Sequence, residues 1–356
     1  MNPYKKIIKL CKMETEINEI THSEITNSEI THSESTHSEI THSESTQSEI
    51  TNSEITNSES TQSSKSTDCA DPGEFIKKKS GDFDTLVLSG GSIHGIIMLG
   101  ALQYSDDKYL LRNVTKYVGT SVGALCAYLL AIGYTPIEIM VYICTKQILE
   151  KMKNFNIVDM VNGSGATSFS YIHEQLEKMT IEKIGQLITL GDLYHKYGKE
   201  LYCVTHNLTS DKLEILSYEL YADMPCLIAL RMSANLPLIF DHFTYMGSYY
   251  IDGGASNNFP IDVGDKKGKK ILGLVLHNMN LNFSENKDNM LEYIYKLMYI
   301  PVKQNVINNI NSVSDKCTII TLQPDKTPFF DFSLDSHTKL EMFSNGYIQM
   351  KEYWEK

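Results

Sequence analysis

Ser121 lies in Gly119-Thr120-Ser121-Val122-Gly123, with Tyr117-Val118 before it and Ala124-Leu125-Cys126-Ala127-Tyr128-Leu129-Leu130-Ala131 after it. An apolar run, a glycine-flanked serine and a run apolar nearly all round read as strand, tight turn and buried helix. A serine at the tip of such a turn holds strained backbone, and glycines two positions away on either side avoid clashes with the neighbouring chain. The turn exposes the hydroxyl and aims the first N–H groups of the helix at whatever it attacks. The chemistry this suits is nucleophilic catalysis by serine. The five-residue pattern alone also fits a strand–helix connection in which glycines merely permit the bend.

A second stretch, Ser89-Gly90-Gly91-Ser92-Ile93-His94-Gly95, follows the apolar strand Thr85-Leu86-Val87-Leu88 and precedes an apolar helix over 96–104. Glycine-rich backbone at a helix N-terminus stabilises negative charge. A dinucleotide site wants an acidic residue at the end of the next strand. Here that strand enters the serine turn instead. A phosphate loop wants Gly-Lys-Ser/Thr, which is absent. An oxyanion hole needs only small residues and free N–H groups near a nucleophile, and the serine turn on the neighbouring strand favours that reading.

These loops need strands and helices to hold them. Thr135-Pro136-Ile137-Glu138 is a capping box with proline at the first helical position, and helical periodicity continues to about residue 155. A polar loop around Asn162-Gly163-Ser164-Gly165 follows, then helices near 170–187 and 190–197. Strands are expected at 201–205 and 213–218, and a helix from Pro225 to Ala234. A hairpin turning at Met246-Gly247-Ser248 delivers Asp252-Gly253-Gly254 at the end of its second strand. A strand at 270–276, a long helix at 286–312 with Pro301 inside, a strand at 317–322 and a helix from Ser336 complete the chain. Helices alternating with buried strands imply an α/β sheet covered on both faces.

The chain as a whole excludes several classes. Its 356 residues are 42% hydrophobic, enough for a sizeable core. A net charge of -12 argues against nucleic acid and gives no long-range pull toward an anionic membrane. Residues 1–72 hold five lysines against thirteen acidic residues, so the globular part is close to neutral. Residues 21–60 are eight copies of Thr-[His/Asn/Gln]-Ser-Glu-[Ile/Ser], a period that matches neither helix nor strand, and the segment reads as a disordered low-complexity tail. The folded part is expected from about residue 82 to 356. Seven scattered cysteines, with no CxxC pair, suggest a reduced intracellular protein without disulfides or a metal centre. Met1 to Met13 lacks the apolar core of a signal peptide, and apolar runs are too short to span a bilayer. His206 and His242 read as ordinary core or surface histidines.

Three pieces stand in order: the loop 89–95, the turn 119–123, and Arg231-Met232-Ser233-Ala234-Asn235-Leu236-Pro237-Leu238-Ile239-Phe240 leading to Asp252-Gly253-Gly254-Ala255-Ser256-Asn257-Asn258-Phe259-Pro260. The ordered set resembles the patatin-like phospholipase family over roughly residues 82 to 356. The resemblance implies a three-layer α/β sandwich and a Ser–Asp dyad. The family's serine falls on Ser121, within the elbow glycines Gly119 and Gly123, and its aspartate on Asp252, followed by Gly253 and Gly254. Its oxyanion glycines fall on Gly90 and Gly91, with Ser92 in the place of a third glycine and His94 in the place of the usual Arg or Lys. A Cβ at position 92 is expected to require negative φ. An aspartate of ordinary pKa is a poor base, so burial against Phe259 and nearby tyrosines is expected to raise it. The implied activity is hydrolysis of acyl lipids without metal or cofactor, in the cytoplasm or on the periphery of membranes or lipid droplets. Two other readings stay open: an esterase triad completed by His277 or His337, and a lipid-binding module without turnover.

Overall fold

The computed structural model describes residues 83–356, apart from 147, 150, 151, 153–155, 157–159, 161, 163, 164, 277–289, 325, 326 and 328. The repeat tail, Gly163 and Ser164 of the loop at 162–165, and His277 lie outside the described residues. Among those residues an eight-stranded sheet runs in the order β5-β6-β3-β2-β1-β7-β8, with β4 also paired to β3. The strands are β1 (Thr85–Leu88), β2 (Lys116–Thr120), β3 (Glu200–Asn207), β4 (Lys212–Leu216), β5 (Thr244–Tyr245), β6 (Ser248–Asp252), β7 (Ile271–Leu276) and β8 (Cys317–Leu322). Pairs β3–β2, β2–β1, β1–β7 and β7–β8 are parallel, while β4, β5 and β6 join antiparallel.

Side-chain alternation divides the core. Leu86 and Leu88 of β1 and Leu272, Leu274 and Leu276 of β7 enter the larger cluster. Val87 of β1 and Ile271 and Val275 of β7 enter a second cluster with Phe259, Ile261 and Val306. Two faces, each buried, require helices on both sides, which is the three-layer arrangement. Each fully buried aliphatic side chain contributes about 2 kcal/mol of burial free energy.

Helices α1 (Gly95–Asp107), α2 (Val122–Ala131), α3 (Pro136–Thr145), α4 (Ser170–Ile184), α5 (Leu190–Tyr197), α6 (Cys226–Ser233), α7 (Ile261–Lys267), α8 (Met290–Ser312) and α9 (Ser336–Glu355) form the layers. The Thr135–Glu138 capping box is present in both directions at the start of α3. That helix ends at Thr145, ten residues before its sequence periodicity does. The Thr145 hydroxyl donates back to the Val141 and Tyr142 carbonyls. No single helix among the described residues is long and apolar enough to cross a membrane.

The loops after β1 and β2 leave the carboxyl ends of neighbouring parallel strands. The chain moves from β1 through β2 to β3 on one side, and later places β7 on the other side of β1. In open α/β sheets ligands bind in the crevice that such a reversal leaves.

Candidate functional site

Ser121 is buried at the junction of β2 and α2, with φ 56 and ψ -128. For a residue with a Cβ this is a strained conformation, and the surroundings enforce it. A Cβ on Gly119 would lie 2.5 Å from the Ala124 nitrogen, and one on Gly123 2.5 Å from the Leu88 carbonyl oxygen. Both neighbours are backbone and cannot yield, so the two glycines let the turn close. The Ser121 N–H donates to Ser233 Oγ at 3.1 Å. Val122 opens α2, and its N–H has no partner inside the helix.

Strand register brings Asp252 to the serine. On one edge of β3, Val204 pairs with Thr120, the last residue of β2. The next residue, Thr205, pairs with Asp252, the last residue of β6. Because β4 occupies the other edge of β3 over 203–207, β2 and β6 share the same edge end to end. Asp252 therefore arrives beside the point where the chain turns into Ser121. A Cβ on Gly253 would meet the Val204 carbonyl oxygen at 2.2 Å, so the strand end can pack this tightly only with glycine there.

The end of α6 holds both residues. Ser233 receives the Ser121 N–H, and the Asn235 carbonyl receives the Asp252 N–H at 2.8 Å. Asn235 Nδ2 donates to the Tyr250 carbonyl at 2.7 Å. Arg231 donates through Nη1 to Asn235 Oδ1 at 2.6 Å and through Nη2 to the Asp241 carbonyl at 2.8 Å. Its guanidinium also lies 4.5 Å from the Phe169 ring centroid. Burial lowers the Arg231 pKa to about 10, which leaves it charged at neutral pH. The sequence alone assigns no role to Arg231, Ser233 or Asn235. Three polar side chains at alternate positions of an otherwise apolar helix end were the available signal.

Burial raises the Asp252 carboxyl from 3.8 to about 7, and the neighbouring Ser121 hydroxyl and the Gly254 N–H pull it back only partly. The Gly254 N–H reaches Oδ1 at 2.7 Å. Among the described residues Oδ2 is buried with no partner in hydrogen-bond geometry, which leaves it free to take a proton. Tyr295 of α8 donates its hydroxyl to the Pro237 carbonyl, and burial followed by the Asp252 charge pushes its own pKa well up.

The glycine-rich loop departs from expectation in two ways. The Gly90 N–H donates to the Asn258 carbonyl at 2.9 Å, so it is already engaged. The N–H groups of Gly91 and Ser92 have no hydrogen bond among the described residues. Ser92 has φ 50, against the negative φ expected for a side chain there. It occupies the left-handed region a glycine would use, and its buried Oγ has no partner among the described residues. Since the backbone already takes the glycine conformation, Ser92→Gly is expected to leave kcat on a soluble acyl ester within about threefold and stability within about 1 kcal/mol. A tenfold rise in kcat would show that the serine distorts the loop. His94 is buried, with Nε2 3.0 Å from the Thr327 carbonyl and its ring 6.0 Å from Phe329.

Two cavities meet at Ser121 and Ser92. One, of about 290 Å³, is bounded by Asp252, Gly254, Asn258, Pro237 and the α8 residues Tyr295 and Tyr299. The other, of about 150 Å³, runs between α2, α3 and α4. His337 stands exposed 3.7 Å from Glu341 and borders neither cavity. A separate chain joins Ser256 Oγ to His206 Nδ1 at 2.6 Å and His206 Nε2 to Asp211 Oδ1 at 3.2 Å. The Asp211 side chain is 94% exposed, so water screens its hold on the imidazole, and Ser256 borders neither cavity. Among the described residues no cluster of His, Cys, Asp and Glu could hold a metal ion.

Residues 86–265 match the patatin-like phospholipase family model. The chain is 34% identical over 274 residues to the probable lipid hydrolase 463L of Invertebrate iridescent virus 6, covering 74% of this chain and 86% of that protein. It is 28% identical over 281 residues to an uncharacterized protein of Acanthamoeba polyphaga mimivirus, covering 75% and 92% of the two chains. Among solved structures, VipD from Legionella pneumophila superimposes with a TM-score of 0.45 at 17% identity, covering 77% of this chain and 67% of that one.

Proposed function

The chain belongs to the patatin-like phospholipase family, and from that premise we propose that it hydrolyses fatty-acyl ester bonds of phospholipids or other acyl lipids, with Ser121 as nucleophile and Asp252 as its base. The observation that carries this reading is a buried carboxyl brought beside a serine at a strained strand–helix turn, and burial pushes that carboxyl up to about 7. Ser121 Oγ attacks the ester carbonyl carbon while its proton passes to Asp252. The N–H groups of Gly91, Ser92 and Val122 receive the negative charge that develops on the carbonyl oxygen. Collapse expels the alcohol, which takes the proton from Asp252, and leaves an acyl-Ser121 ester. Water then gives a proton to Asp252 and attacks that ester, releasing the fatty acid and restoring the serine. The substrate is met at a membrane or lipid-droplet surface, and residues 1–72 are an appendage to the domain that does the chemistry.

The test is incubation with a mixed lipid panel and mass spectrometry of the products. Free fatty acid with the matching lyso-lipid or alcohol is expected, and its absence across phospholipids and neutral esters would refute the reading. The pH profile adds a second check. Asp252 accepts a proton only when ionised, so kcat is expected to rise with pH through about 7 and then level off. A profile already level from pH 5 would mean that the base is an ordinary exposed carboxylate.

A further inference from the structure

The second cavity has a definite shape. On α2 its wall is Val122, Leu125, Cys126 and Leu129, one helical stripe that starts at the residue after Ser121. On α4 the wall is Ile172, Gln175, Leu176 and Met179, a second such stripe. Gln175 is the polar residue among them, and its Oε1 is taken by the Tyr142 hydroxyl at 3.1 Å. The slot therefore offers a chain of methylenes an apolar wall. The Tyr128 hydroxyl lies 2.8 Å from Thr180 Oγ1, so the C-terminal parts of α2 and α4 are pinned together. The Tyr134 hydroxyl caps the Met179 carbonyl at 3.0 Å behind them. Leu129 and Met179 thus mark the closed end, and Ser121 and Ser92 the mouth.

Length follows from helix geometry. Leu129 is eight positions beyond Ser121, a rise of about 12 Å along α2. An extended acyl chain advances about 1.3 Å per carbon, from bonds of about 1.5 Å at tetrahedral angles, so about nine or ten carbons fill that depth. We infer that this slot receives the acyl chain of the scissile ester and that its closed end at Leu129 and Met179 selects chains of about eight to ten carbons. The inference rests on the acyl-hydrolase reading above. The alcohol part of the lipid then occupies the larger cavity beneath α8.

The experiment uses the full chain and p-nitrophenyl esters from butyrate to palmitate, with kcat/KM as readout. Each methylene buried in the slot is worth about fourfold, so kcat/KM is expected to climb from butyrate to the octanoate–decanoate range and to fall about tenfold or more by palmitate. Leu129→Trp fills the closed end and is expected to lower the decanoate-to-butyrate ratio about fiftyfold. Met179→Ala opens the same end and is expected to move the optimum two or more carbons longer. A cooperative thermal transition shows that each variant is folded. Hydrolysis with a ratio that neither variant changes would overturn the slot assignment and leave the acyl-hydrolase reading standing. If no ester is hydrolysed, that reading falls and calorimetric titration with decanoate decides the slot. Binding to the unaltered chain, at least tenfold weaker in Leu129→Trp, supports it; equal binding, or none, overturns it.

Discussion

Ser121→Ala and Asp252→Asn are each expected to lower kcat on a soluble acyl ester by about a thousandfold or more. The double variant is expected to be no slower than the slower single variant, because residues that act as one unit are not additive. Ser121→Ala is also expected to lose covalent labelling by a fluorophosphonate, which needs the serine oxygen. His337→Ala should keep its rate, since that imidazole stands exposed against Glu341, away from both cavities. His206→Ala separates the readings further. Its ring bridges Ser256 and Asp211 outside both cavities, so a near-normal rate is expected. If His206→Ala loses hydrolysis while Asp252→Asn keeps most of it, the chemistry runs through a Ser–His–Asp chain and the dyad proposal is wrong.

Much of this arrangement was legible in the sequence because it depends on local chemistry. The apolar run 85–88, the turn at Ser121 and the capping box at Thr135 each have a short-range physical cause, and each occurs where that cause lies. The distance between Ser121 and Asp252 in the chain is not local. It is closed by β2 and β6 sharing one edge of β3, a pairing that hydrophobic alternation does not encode. Helix α7 leaves no sign in the sequence because seven residues are too few for a helical period to declare itself. Helix α3 ends at Thr145 although apolar spacing continues beyond it, because that spacing marks a buried face and not where a helix stops. The fate of individual N–H groups was least legible. Nothing in Ser-Gly-Gly-Ser says that Gly90 donates to Asn258 while Gly91 and Ser92 donate to no described residue, nor that Ser92 takes a positive φ.

Asp252→Asn is expected to make the protein more stable as well as less active, and by an amount that depends on pH. In the folded chain burial holds the carboxyl near 7, against 3.8 for a free side chain. Between these values the folded state keeps a proton that the unfolded state has lost, so raising the pH through this window removes stability. The loss is complete above about pH 7 and amounts to about 4 kcal/mol. Asparagine has no proton to lose, and its side-chain oxygen can still accept the Gly254 N–H that now reaches Oδ1. The advantage of Asp252→Asn over the unaltered chain should therefore grow by about 2 kcal/mol between pH 5.5 and pH 8.5, read from urea unfolding at each pH. An aspartate that served only the fold would behave in the opposite way, with the asparagine variant weaker at both pH values by a constant amount. That outcome would mean the carboxyl is not held in a desolvated, raised-pKa state. The rate and stability measurements then bear on the same property, because the burial that destabilises the ionised carboxyl is what makes it basic enough to take the Ser121 proton.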